Sequence, residues 1–481
     1  MTFSLSTDSV RGWGSATLRA AGWLEWLLMG LMLAALWMPD FNRVWALLLA
    51  VPMLGIRVLR YRRLWPRTPL DVLALALLAL LALSALTMPF RQGVAVLAGP
   101  GGEVRVPYEI IVIGRPLFGV LLMTSLIEAA RRAGSMHSLL WASVALGVVL
   151  GLLGLFAAQY TEKSDALQPI VSLLPAIRWF PGAEGGFNVN EIAGGMAWFT
   201  PLMGGIAIWA WREVASGAGR GQAALASVAS LAFALLWAAL FLGQSRSAII
   251  GVLPGLLALS LLLRGRWRVA AVAFVVLFAG AQIALLIGPR TTPGDALQQR
   301  DAASASSRVL IWQSALAIIR DHPLTGAGMN NFRAPVVRAA YPVAGYEQRV
   351  LPHAHNEIVQ LGVDFGLPGV LLWLLGAALV TRMLWQAWRA GLPTARPLLL
   401  GVATGLAAHA LYGLGDAIPL WDRQAFGLWW MLGLAGALWL LRQVVAGDNL
   451  RIRTTPSLDK QVKYTEFVFS VMIARRRGAR S

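Results

Sequence analysis

The sequence predicts an all-α polytopic membrane protein with about twelve transmembrane helices. Three observations lead there. The 481 residues are 57% hydrophobic and only 13% charged, against roughly 25% charge in a soluble chain. Apolar runs of roughly 20 residues, the length that crosses a hydrocarbon core, recur along most of the chain. Between those runs the arginines collect in alternate loops.

The first run starts near Ala21. It is long enough to span and lacks a small-residue cleavage site, so it reads as an anchor rather than a signal peptide. Further spans are expected near 43–59, 70–88, 107–127, 137–158, 189–210, 222–242, 245–263, 268–288, 358–380, 396–418 and 425–445. Prolines and glycines inside several of them are tolerated where neighbouring helices satisfy the freed backbone groups. The fourth is the least regular, because Glu109 and Arg115 fall inside it.

Orientation follows from the basic loops, since the cytoplasmic side retains Lys and Arg. An inside N-terminus puts Arg57, Arg60, Arg62, Arg63 and Arg67 in one inner loop, and Arg131 and Arg132 in the next. Arg212 and Arg220 follow, then Arg264, Arg266 and Arg268, and finally Arg382, Arg389 and Arg396. Both termini are therefore expected in the cytoplasm. Topology also accounts for the net charge of +18, with no nucleic-acid partner implied. The expected organisation is one membrane domain over 1–445, a cap over 289–357 within it, and a basic tail over 446–481 suited to anionic lipid. The absence of cysteine excludes disulfides, thiolate metal sites and a cysteine nucleophile.

Two long segments, 159–188 and 289–357, then face outward. In the second, "SSRVLIWQSALAIIRDHP" places Val309, Trp312, Leu316 and Ile319 at helical spacing. Ser306 or Ser307 is available as a cap and Pro323 follows the end, which predicts an amphipathic helix lying on the outer membrane surface.

The chemistry-bearing groups gather on that side. Arg246, in "FLGQSRSAIIGV", sits in a very short outer connection; it is either a snorkelling arginine or an anion clamp. Arginine suits the clamp because its rigid fork of donors matches phosphate oxygens and never loses its proton. Arg308 would add a second cation near the start of the outer helix, and Arg178, in "LLPAIRWFPG", lies in the other outer loop. Either could equally be a solvated-face arginine. His355 is the best proton-transfer candidate, since an imidazole accepts a hydroxyl proton near neutral pH. His353, Asn356 and Glu357 stand beside it where the large loop re-enters the bilayer, placed to meet a lipid-borne head group and an aqueous acceptor together. The His-Ala-His spacing suggests metal, but two ligands without a clear third assign none. Asn188 and Asn190 open the sixth span and can cap it or bind sugar hydroxyls.

Four of these stretches together resemble the O-antigen ligase/polymerase superfamily of bacterial inner-membrane enzymes. "HNEIVQLGVDFGLPGVLL" is similar to its His-Asn-x-x-x-Gln…Gly-Leu-x-Gly signature, and "SRVLIWQSALAIIRDHPLTGAGMNNF" to its Arg…Trp…His-Pro-Leu-x-Gly-x-Gly…Phe segment. "NVNEIAGGMAWFTPL" resembles the Asn-Pro-Asn…Ala-Gly…Pro span and "QSRSAIIGVLPG" the Ser-Arg-x-x-x-Leu-Gly span. Val189 stands where that pattern commonly has Pro, and Asp364 where it often has Glu.

The resemblance implies a GT-C-class glycosyltransferase working on the periplasmic face, without metal or sugar nucleotide. Its donor would be a glycan on undecaprenyl pyrophosphate. Its acceptor would be a lipid A-core hydroxyl in a ligase, a second lipid-linked glycan in a polymerase, or a protein hydroxyl in an oligosaccharyltransferase relative. Arg246 and Arg308 would bind the pyrophosphate, and His355 would be the general base of an inverting displacement. We take the ligase as the leading expectation and the polymerase as the next. A lipid-glycan flippase is the alternative of another class, and a purely structural scaffold is the third; a flippase would want polar groups along a central path.

Overall fold

The computed structural model describes residues 7–37, 43–61, 66–91, 93–99, 102–133, 136–160, 167–287, 294–346, 350–390 and 394–445. The basic tail lies outside them. The chain is an all-α polytopic membrane protein, and each expected span coincides with one helix. In order these are α1 Thr7–Trp37, α2 Arg43–Tyr61, α3 Leu70–Thr87, α4 Tyr108–Ala133 and α5 His137–Phe156. A short α6 Gln168–Val171 precedes α7 Val189–Ala215, α8 Arg220–Gly243, α9 Arg246–Ser260 and α10 Arg266–Ile287. The cap holds α11 Gly294–Asp321 and α12 Pro335–Ala340, followed by α13 Glu357–Arg389, α14 Arg396–Tyr412 and α15 Phe426–Val445. Among the described residues, eight helices are long and apolar enough to cross a membrane by length and composition.

Helix α7 is the hub, packed against α5, α8, α9 and α14. In a bilayer, helices associate by close packing rather than by hydrophobic exclusion, so small residues mark the contacts. A Cβ on Gly205 of α7 would stand 2.5 Å from the Pro397 carbonyl of α14, and one on Gly251 of α9 2.2 Å from that of Ala408. Those two crossings fix α14 between α7 and α9. The irregular fourth span is a helix whose Arg115 is buried and donates from Nη1 to the Trp421 carbonyl at 2.6 Å.

Four short strands depart from the all-helical expectation. β1 Val94–Gly99 and β2 Gly102–Pro107 form an antiparallel hairpin, Val94 opposite Pro107. β3 Ala158–Gln159 pairs in parallel with β4 Phe187–Asn188 and ties the 159–188 loop to the start of α7.

The cap has its own apolar core, built from Ile311, Ala315, Ile318, Phe332, Val337, Leu351 and Val363. This corrects half of the expected apolar stripe of α11, since Trp312 and Ile319 do pack on that core. The face turned to the cap core runs through Ile311, Ala315 and Ile318, while Val309 and Leu316 are exposed. The helix also starts at Gly294, so Ser306 and Ser307 lie inside it rather than at its N-terminus. The preceding stretch, rich in Ala, Gln and Arg, is made of residues that favour helix.

Helix α13 is broken at Gly366 (φ 67°, ψ −163°). Residues 357–365 form a short helix packed on both the cap and the bundle, and 367–389 form the apolar span, which starts and ends later than the expected 358–380. The turn after α11, "HPLTGAGMNNF", clasps this break: Leu367 N–H donates to the Pro323 carbonyl and Ala327 N–H to that of Val363, each at 2.7 Å. Gly326 (φ +60°) lets the turn approach, since a Cβ there would stand 2.2 Å from the Val363 oxygen. The spacing of glycines in that segment is thus what a left-handed turn against a neighbouring backbone requires.

Candidate active site

The site lies at one end of the bundle, where the start of α13 meets the 413–422 connection between α14 and α15. Four backbone and side-chain bonds stitch the two. Glu357 N–H donates to the Gly413 carbonyl (2.7 Å), and Asn356 Nδ2 to that of Leu414 (3.0 Å). Ile418 N–H donates to Glu357 Oε2 (3.0 Å), and His355 Nδ1 lies 3.0 Å from Asp416 Oδ1. Asn356 caps α13 through Oδ1, which accepts from Val359 N–H at 3.0 Å. Gln360 completes the frame, accepting from Ala354 N–H (2.8 Å) and donating to Asp364 (2.9 Å). Asp364 in turn accepts from the Trp421 indole at 3.2 Å.

His355 is held in the left-handed region (φ 50°), which non-glycine residues seldom occupy. Its N–H donates to His353 Nδ1 at 3.2 Å, and the two rings meet edge-on, centroids 4.4 Å apart. Burial pushes the His353 imidazole down to about 4; Arg308 and His355 add to that shift and Asp416 opposes it. His353 is therefore neutral near pH 7, as an acceptor must be. Burial alone would raise the Asp416 carboxyl, but the hydrogen bond from His355, with the bond from Ala417 N–H and the nearby imidazoles, outweighs it and holds it below the usual range. Asp416 is thus an anion, its Oδ1 also accepting from Ala417 N–H at 3.0 Å.

Because the carboxylate can only accept, His355 Nδ1 carries the proton and Nε2 keeps the free lone pair. That is the arrangement of a general base with an orienting partner.

The two arginines approach from different elements. Trp312 of α11 donates its indole N–H to the Ala354 carbonyl at 2.9 Å. Arg308 sits one turn earlier on the same face, half-exposed, where its charge reaches His353. Arg246 is the first residue of α9, after Gln244 in the left-handed conformation (φ 49°), and is exposed. The adjacent Ser247 packs on Gly415, next to Asp416: a Cβ on Gly415 would meet the Ser247 hydroxyl at 2.5 Å. Arg308 therefore borders the histidine loop, and Arg246 starts α9 beside the 413–418 connection, at the positive end of a helix dipole.

The other sequence candidates are engaged in structure. Asn188 caps α7 by accepting from Asn190 N–H at 2.9 Å, and the Asn190 carbonyl accepts from the Tyr412 hydroxyl at 3.0 Å. Arg178 folds against Gly186 and donates to the Ile177 carbonyl at 3.2 Å. Glu357 is buried and spent on the 413–418 loop.

Asp416 is the residue sequence reasoning missed. Its signal was a carboxylate among turn residues in "YGLGDAIPLWD", at the end of a span expected to run to 418. Arg423 and Glu191, paired at 3.0 Å, and Asp422, raised by burial, complete the charged surround of this end.

Beneath the site lies an apolar chamber of about 550 Å³ walled mainly by α3, α13, α14 and α15. It reaches from Leu361 and Leu420, under the histidine loop, to Trp388 and Leu399 at the far end. His409 and Thr381 apart, its wall is hydrocarbon, aromatic ring and indole.

Residues 231–374 match the family model described as O-Antigen ligase. The match runs from within α8 into α13 and takes in Arg246, Arg308 and His355, but ends before Asp416. It supports the O-antigen ligase/polymerase superfamily and a function of the O-antigen ligase family in general. No curated protein matches the chain.

Proposed function

We propose that the chain is an inverting membrane glycosyltransferase that moves a glycan from undecaprenyl pyrophosphate to a lipid A-core hydroxyl on the periplasmic face. One observation carries this reading: the His355 Nδ1–Asp416 Oδ1 hydrogen bond at 3.0 Å, with the charge of Arg308 reaching the neighbouring His353. His355 Nε2 takes the proton of the acceptor hydroxyl as its oxygen attacks the anomeric carbon. The bond from that carbon to the pyrophosphate oxygen breaks, and the departing pyrophosphate keeps the electron pair. Arg246 and Arg308 neutralise the charge that develops there. Asp416 acts through His355, fixing its tautomer and stabilising the imidazolium.

The chamber supports a donor or acceptor with a hydrocarbon tail, since its wall offers a sugar almost nothing to bind. That same wall argues against a flippase, whose path would need polar groups through the bundle. The orientation is supported by the other end, where Arg212 of α7 bonds the Leu262 carbonyl and Arg131 of α4 that of Pro66. Those arginines belong to the loops expected inside. The membrane domain of 1–445, its cap and the tail of 446–481 are the units we propose for it.

The test is purified protein in detergent with a defined polyprenyl-pyrophosphate glycan, with and without core lipid. Transfer to core lipid alone supports the ligase. Chain growth without core lipid replaces it by a polymerase, and no product in either tube removes the transferase reading.

Two variants probe the arrangement. Asp416→Asn should lower kcat by up to about 10⁴-fold, because an amide no longer dictates which imidazole nitrogen holds the proton. Donor KM should move little; an unchanged kcat would free His355 from Asp416. Arg308→Lys keeps the charge but loses the fork, and should cost on the order of tenfold to 10²-fold in kcat/KM for the donor. Steady-state kinetics against donor concentration reads this directly, and a wild-type value would take Arg308 out of the site.

A further inference from the structure

The sequence offered His353 and His355 as metal ligands without a third, and the fold supplies one. One ligand atom each from His353, His355 and Asp416 lie within 4.8 Å of one another. Asp416 Oδ1 is 3.0 Å from His355 Nδ1 and 3.8 Å from His353 Nδ1. Nitrogen and carboxylate ligands sit about 2.0–2.2 Å from zinc, which sets tetrahedral ligand–ligand edges of roughly 3.4 Å. The two Asp416 distances bracket that spacing before any metal draws the ligands in. Two imidazoles and one carboxylate are a donor set for first-row transition cations rather than for Mg²⁺ or Ca²⁺. The two histidine side chains are 16% and 29% exposed, so a fourth position stays open to water.

We propose that His353, His355 and Asp416 form a binding site for a Zn²⁺-like cation whose occupancy switches the enzyme off. The switching follows from the tautomer. A metal on His355 Nδ1 displaces the proton that Nδ1 now donates to Asp416, and that proton moves to Nε2. Nε2 then holds a hydrogen where the reaction needs a lone pair, and the Asp416 oxygen is spent on the metal. The His355 N–H bond to His353 Nδ1 is given up in the same step. Arg308 works against a dication here, while the anionic Asp416 works for it. The switching half rests on the base role assigned to His355; the binding half does not.

The test uses the full chain, purified metal-free in detergent. Zinc titration by calorimetry should give one site per chain, and Co²⁺ should give the visible absorption of a low-symmetry imidazole–carboxylate site. Zinc at saturation should abolish transfer, and a chelator should restore it. His353→Gln and Asp416→Asn should each weaken binding by about tenfold or more. His137→Gln, at the opposite end of the bundle, should bind as the wild type does. No saturable binding, or binding undiminished in both site variants, overturns the site. Binding without loss of transfer overturns the switch. Metal bound at the trio by a protein that transfers no glycan supports the site and removes the proposed function instead.

Discussion

Replacing His355 by asparagine is expected to lower glycan transfer by about 10²–10⁴-fold and to leave the chain folded. The size of the loss is what general-base catalysis contributes when the proton must leave a sugar hydroxyl at neutral pH. Asparagine is the right replacement because position 355 holds φ at 50°, a conformation asparagine tolerates better than alanine does. Little packing is lost, since the His355 side chain is 29% exposed. The removed imidazole leaves Asp416 buried without its partner, which is costly by itself. The double variant His355→Asn/Asp416→Asn separates that cost from catalysis: it should recover thermal stability and recover no activity. Single-turnover rates and melting in detergent read the two effects apart. Wild-type turnover by folded His355→Asn would end the base assignment.

Gly326→Ala should be the most damaging small substitution in the cap, at about 2–5 kcal/mol. Two penalties coincide there. Alanine at φ +60° is strained, and its Cβ would lie 2.2 Å from the Val363 oxygen, a backbone atom that no rotamer change moves aside. Relief requires the turn to lift from α13, which breaks the bond from Ala327 N–H to Val363. Gly217 is the comparator: its φ is +100°, but nothing lies within 4 Å of an added Cβ. Gly217→Ala should therefore show strain alone, roughly 1–2 kcal/mol. Thermal unfolding of both variants measures the difference, and equal melting temperatures would show that the clasp carries no load.

What was legible in the sequence follows from scarcity. In a chain this apolar, charged groups outside basic loops are few, so Arg246, Arg308 and His355 stood out, as did the twelve hydrophobic runs. Asp416 did not, because the apolar run before it continued almost to Pro419 and hid where the helix ends. Half of the α11 stripe was misread, at Val309 and Leu316, because that helix carries apolar residues on two faces, one turned to the cap core and one left exposed. Periodicity counts apolar positions and cannot say which face has a partner. The β1–β2 hairpin lay in the 89–106 connection, overshadowed by the two longer outer segments, although "GPGG" between two runs of small and branched residues is a turn signal. The clasp at Gly366 needs two segments some 40 residues apart, and no local pattern announces it.

The four bonds between 355–357 and 413–418 have a consequence for biosynthesis. A ribosome delivers Arg246, Arg308 and His355 well before the last two helices are inserted. Until α14 and α15 arrive, the imidazole has neither its carboxylate nor the carbonyls that fix its loop. If the proposed function holds, a half-made chain has its arginines but no oriented base, and transfer would have to wait for translation to finish.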